Sequence, residues 1–190
     1  MSDPPREGET ARLLRVYLQD HYAGATAGLA LAERCRRANE DTNLGELLLG
    51  LETEIGEDRQ SLVAMMARLG YGPHPVKTAL GSAGEFVSRL KSNGRLFTYS
   101  PTSRVVELEA LAAGILTKRN LWRALRVVAG GYPALDAGEL ERLADRASSQ
   151  LDRVHAAHVS AAAQAFTDAG DSATAQAVPV SSAHGRRDES

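Results

Sequence analysis

The stretch NLGELLLGLETEIGEDRQSLVAMMARL, residues 43–69, decides the fold. Leu44, Leu48, Leu51, Ile55, Leu62, Met65 and Leu69 recur in steps of three and four, the signature of a helix with one apolar face. Asn43 suits the N-cap, Glu46 completes a capping box three residues later, and Gly70 with Pro73 marks the stop. One position of the stripe breaks the rule: Asp58. A carboxylate on a core-facing stripe is unfavourable unless it is paired or ligated.

Working outward, three further helices of similar length are expected. The first runs from about Thr10 to Asn39, with a stripe of Leu13, Tyr17, Ala27, Leu31 and Cys35. Gly24 and Gly28 lie four apart on it and suggest close approach by a neighbouring helix. The third starts at Ser100-Pro101, a capping serine followed by proline at the first helical position. Val105, Leu108, Leu111, Ile115, Trp122 and Leu125 form its inner face, with Glu107 and Glu109 near its start and Lys118, Arg119, Arg123 and Arg126 toward its end, complementing the helix dipole. The fourth opens at Asp136, with Glu139 three later, and buries Leu140, Ala144, Ala147, Leu151, Val154, His158, Ala161 and Ala165. His158 is thus expected to be a second polar residue on a core face.

Between the second and third helices lie about 30 residues, far more than an antiparallel hairpin needs. Val76, Leu80, Ala83, Val87 and Leu90 would give that connection a short amphipathic helix. The expected organisation is a flexible N-terminus over residues 1–9, a four-helix bundle over 10–167 with its crossover at about 71–100, and a disordered tail over 168–190. The fold class is all-α: a ferritin-like bundle with one long crossover, or a plain up-down bundle as the alternative topology.

Composition sets the outer limits. The chain has 190 residues, a net charge of −2 and one cysteine, so a single domain is expected, with no disulfide framework. Neither a signal peptide nor a membrane-spanning run is read, and the expected location is cytoplasmic. The near-neutral total hides a division: residues 1–70 carry a net −4, residues 71–130 a net +6 and residues 131–190 a net −4. Complementarity between packed helices accounts for this pattern. An anionic membrane on the basic crossover is the alternative, and nucleic acid is not expected, since aromatic residues are sparse in that block.

The chain resembles the ferritin-like superfamily, and within it a set of uncharacterised actinobacterial helical proteins, over residues 12–167. The resemblance rests on Tyr17-Leu-Gln-Asp-His-Tyr22, Leu51-Glu-Thr-Glu-Ile-Gly-Glu-Asp-Arg59, Leu90-Lys-Ser-Asn-Gly-Arg-Leu96 and Tyr99-Ser-Pro-Thr-Ser-Arg-Val-Val-Glu-Leu-Glu109. The first two helices also look like those of stress-associated ferritin-like proteins. The resemblance implies a di-iron or di-manganese centre.

Such a centre takes Glu-x-x-His pairs, whose i, i+3 spacing puts both ligands on one helix face. None occurs here; Asp152-Arg-Val-His155 comes nearest, and Asp58, with Glu54 one turn before it, stands where the resemblance would put a histidine. Counting from helix ends under a ferritin-type crossover places Glu33, Glu54, Glu107 and His158 near one level. An up-down topology would instead gather His21, Asp58, Glu107 and His155. The candidate metal ligands are therefore Glu33, Glu54, Asp58, Glu107, His155 and His158, with iron or manganese as the metal. The competing explanation is a polar network with Arg59, Lys118 or Arg119. Cys35, on the apolar stripe, is expected to be a core residue despite Arg34, Arg36 and Arg37 beside it. No catalytic motif is complete. The leading expectation is a non-catalytic or metal-degenerate structural or interaction protein. The alternative is a di-metal carboxylate protein that oxidises iron or protects against stress. A homodimer is the candidate assembly.

Overall fold

Thr42, not Asn43, caps the helix that contains Asp58. Its backbone is extended, and its hydroxyl accepts the Gly45 N–H at 3.1 Å, which makes Asn43 the first helical residue. In the computed structural model, which describes residues 8–72 and 100–174 and side chains only to residue 167, four helices follow one another. They are α1 (Glu9–Arg37), α2 (Asn43–Arg68), α3 (Pro101–Val128) and α4 (Ala137–Thr174), with a 3-10 turn at Ala129–Gly131 and no strand among the described residues. The expected crossover helix and the N-terminal residues 1–7 lie outside the described residues. Helix α4 continues beyond residue 168, where the tail was expected to begin.

The ends are fixed by local chemistry. The α2 terminus closes with Gly70 at φ 74°, where the Tyr71 N–H reaches the Met66 carbonyl at 2.8 Å and the Gly70 N–H reaches Ala67 at 3.0 Å. This double bond needs a left-handed residue, which glycine adopts without a side-chain penalty. Ser100 caps α3 through the Ser103 N–H at 3.1 Å, with Pro101 following it, and Asp136 caps α4 through the Glu139 N–H at 2.6 Å. All three features match the sequence expectation.

Side-chain pairs give the helix directions. Arg36 meets Glu52 at 2.6 Å and Arg59 meets Tyr22 at 2.9 Å, so α1 and α2 are antiparallel. Arg126–Glu141 and Lys118–Gln150 make α3 and α4 antiparallel, while Arg68–Glu139 and Gln150–Glu54 do the same for α2 and α4. Arg34 pairs with Glu107 at 3.0 Å, so the end of α1 meets the start of α3. Helices α2 and α3 therefore run in the same direction, and Asp58 and Lys118 pair at similar depths in both. The end of α2 and the start of α3 lie at opposite ends of the bundle.

Trp122, Leu18, Leu48, Leu51, Leu62 and Met65 are fully buried at the centre of the core. On α1 the buried face differs from the expected stripe. Leu18 is buried, while Leu13 is 56% and Tyr17 37% exposed. Leu13 and Leu31, like Tyr17 and Cys35, are about five whole turns apart and share a face of α1, so that face is covered near Cys35 and left open toward the N-terminal end of the helix.

The α1–α2 turn is tied tightly. Asn39 is buried, donates to the Cys35 carbonyl at 2.7 Å and accepts from Arg104 at 2.9 Å. Gly45 packs beneath it, and a Cβ there would lie 2.1 Å from the Asn39 carbonyl oxygen. Gly45→Ala is expected to lower stability in chemical denaturation by about 1–3 kcal/mol, the cost of overpacking. Gly28→Ala, where a Cβ meets nothing within 4 Å, is expected to be neutral or stabilising through its better helix propensity.

Candidate functional site

Asp58 occupies the buried face of α2 with no solvent exposure of its side chain. Its charge is answered from two other helices. Lys118 Nζ of α3 donates to Oδ2, and Arg146 of α4 donates to Oδ1 through both Nη2 and Nε, the latter at 2.8 Å. Gln150 of α4, also fully buried, adds an amide N–H to Oδ2 at 3.1 Å.

Gln150 links the remaining groups. Its amide oxygen accepts from Lys118 at 2.6 Å, and its amide nitrogen donates to Glu54 at 3.0 Å. Glu54 also receives Arg153, while Arg146 reaches Glu57 at 2.8 Å. Three carboxylates, one lysine and two arginines form a network whose formal charge sums to zero. Burial pushes the Glu54 carboxyl up, but hydrogen bonds from Arg153 and Gln150 outweigh it and hold the group below the ordinary glutamate value. Burial is also the main influence on Lys118 and lowers its ammonium, against the opposing pull of Asp58.

The other candidate residues are dispersed. Glu107 is nearly buried but pairs with Arg34 at 3.0 Å and accepts from the Cys35 thiol at 3.4 Å. It sits about three turns from Lys118 along α3, and so well away from Asp58. Glu33 pairs with Arg37 at 2.9 Å on the outer side of α1. His155 is exposed. His158, expected on the core face, is instead at the half-buried rim and bonds to Glu109 at 3.0 Å. Of the six, only Glu54 and Asp58 come together. No group of three or more His, Cys, Asp or Glu side chains is placed to hold a metal among the described residues. The basic groups that fill the space around Asp58 do not suit a di-metal centre, because Lys118 and Arg146 occupy its oxygens as cations. Cys35 is buried, and burial followed by the neighbouring Glu107 charge pushes its thiol far up, leaving it an unreactive core residue.

Gln150, Arg146, Arg153 and Glu57 are the network members that the sequence did not single out. Gln150 sits three residues after Ala147 and four before Val154, squarely on the α4 stripe, so the polar exception was visible there as it was at Asp58.

Beside Asp58 and Lys118 lies a cavity of about 230 Å³ between α1, α2 and α3. Gly24, Gly28 and Gly114 line it, and a Cβ added at any of them would meet nothing within 4 Å. The two α1 glycines therefore leave space between helices, where the sequence suggested close approach. His21 also lines the cavity, edge-on to Tyr17 at 4.5 Å, and burial lowers its imidazole despite Asp20. No protein-family model, curated protein or solved structure matches the chain.

Lys118→Met is expected to destabilise the fold by about 3 kcal/mol, since removal of one partner leaves a buried charge undercompensated. Glu54 adds a pH dependence. Its lowered value means that its contribution is present above the ordinary glutamate value and lost as pH falls through the lowered one. Thermal midpoints of Glu54→Gln measured across the acid range are expected to show a flatter pH profile than the parent protein.

Proposed function

We propose that this chain is a ferritin-like four-helix bundle in which an ion-pair network stands where relatives of that type hold two metals. It acts as a non-catalytic structural or interaction protein. The observation that carries this reading is Asp58, whose two oxygens are taken by Lys118, Arg146 and Gln150. A metal ligand must offer free lone pairs, and these are spent on cations and an amide. The shared direction of α2 and α3 supports the ferritin-like assignment, because two parallel helices consecutive in the chain require a connection that spans the bundle. No helix among the described residues is long and apolar enough to cross a membrane. A cytoplasmic setting belongs to the same reading.

The test is metal loading. Protein incubated with Fe(II), Mn(II) or Zn(II) and then desalted is expected to retain well under one equivalent by elemental analysis, and its thermal midpoint is expected to be the same with and without chelator. Retention of two equivalents, with a midpoint that falls on chelation, would overturn the reading in favour of a di-metal protein.

A further inference from the structure

We propose that the cavity between α1, α2 and α3 binds a small carboxylic acid with an apolar body of about six to eight carbons, the scale set by cavities of ~150 Å³ that take benzene.

The size follows from the 230 Å³ of space and the orientation from the unequal ends. Arg34 and Glu107 fix the antiparallel register of α1 and α3. About three turns from that pair, Gly24 and His21 come level with Lys118 and Trp122, and Arg59 and Asp58 join them from α2. The other end is lined by Leu31, Ala110 and Leu111. The cavity thus has a polar floor and an apolar chamber. Gly24, Gly114 and Thr117 are exposed lining residues, so its mouth opens to solvent between α1 and α3.

Donors at the polar end outnumber acceptors. The Trp122 indole N–H is buried and has no acceptor among the described residues, although the residue is only 1% exposed. Lys118 spends two of its three N–H groups on Asp58 and Gln150. Arg59 donates to Thr26 at 3.2 Å and to the Tyr22 hydroxyl at 2.9 Å, with its guanidinium over the Tyr22 ring, and has no carboxylate partner among the described residues. The one carboxylate on the wall, Asp58, is already neutralised. A cation would meet Lys118 and Arg59 with nothing to balance it. A purely apolar guest would leave the indole N–H without an acceptor and the guanidinium without a counter-ion while shutting out water. A carboxylate answers both, and Arg59 is its counter-ion. The site is independent of whether any metal binds, because Asp58 faces it already paired.

Trp122 is the sole tryptophan of the chain and therefore reports the cavity by its emission. The full chain is titrated with phenylacetate, with neutral phenylacetamide and with cationic phenethylamine, following emission and thermal midpoint. Phenylacetate is expected to give a saturable emission change and a raised midpoint, with phenylacetamide weaker by about tenfold, as befits loss of a charge-assisted hydrogen bond, and phenethylamine inert. Arg59→Gln is expected to bring the acid down to the level of the amide. Gly114→Leu, grown into open space, is expected to abolish binding while circular dichroism shows an intact bundle. A folded parent protein whose emission does not respond to phenylacetate overturns the proposal, as does equal affinity for acid and amide.

Discussion

A fully buried carboxylate must have its charge answered before anything can pack around it, and Asp58 sets that demand at the middle of the bundle. An isolated ionised carboxylate in an apolar interior is prohibitively unfavourable, and even a paired one offsets its desolvation only when every lone pair is used. Lys118, Arg146 and Gln150 use them. Each donor arrives from α3 or α4, so the register of both helices against α2 is pinned at one level. A slip of either helix by one turn would carry Lys118 or Arg146 about 5 Å along its axis and strand the charge. The apolar contacts around it tolerate more freedom of register than this network does.

The same demand explains the uneven charge along the chain. The basic middle third supplies Lys118 to an acid of the first third, and Arg126 reaches Glu141 of the last. The exchange also runs the other way, from Arg34 to Glu107. The exposed pairs contribute little each, and the structural weight falls on the buried ones. The −4, +6, −4 division is thus partly a record of which helices face each other.

Much of this was legible in residues 43–69. Asp58 stood out because an otherwise unbroken apolar stripe isolates a single polar exception, and the caps at Ser100 and Asp136 have chemistry that reads locally. The partners of Asp58 were harder to find. Lys118 was one of three cations named for a polar network, but Arg146 was not, and Gln150, being neutral, raises no electrostatic alarm. Thr42 replaced Asn43 as cap because both can accept the same kind of N–H, and only the backbone angle at the turn decides between them. His158 lies at the rim although Val154 and Ala161 on either side of it in the stripe are buried, because its imidazole reaches out to Glu109. Gly24 and Gly28 misled for a different reason. A glycine pair reports only that no side chain is there, and packing elsewhere determines whether a neighbour moves in or space remains.

On α1, space remained, and it lies beside Asp58 and its partner Lys118. Helix α1 is held to α3 near its C-terminal end by Arg34 and Glu107, and to α2 by Arg36 near that end and by Arg59 at Tyr22 in its middle, contacts that leave the space beside Gly24 and Gly28 unfilled. A sealed void of this size would be expensive: at about 24 cal/mol per Å³ it would cost on the order of 5 kcal/mol, comparable with the net stability of a small domain. The exposed glycines at the mouth relieve that cost by admitting water. Water alone, however, does not explain why the walls are apolar at one end and rich in donors at the other. Alanine at Gly24, Gly28 or Gly114 would improve helix propensity and meet no obstruction among the described residues. Three independent positions that forgo the same easy stabilisation, all bordering one cavity, are better accounted for by the space they preserve than by the helices they weaken.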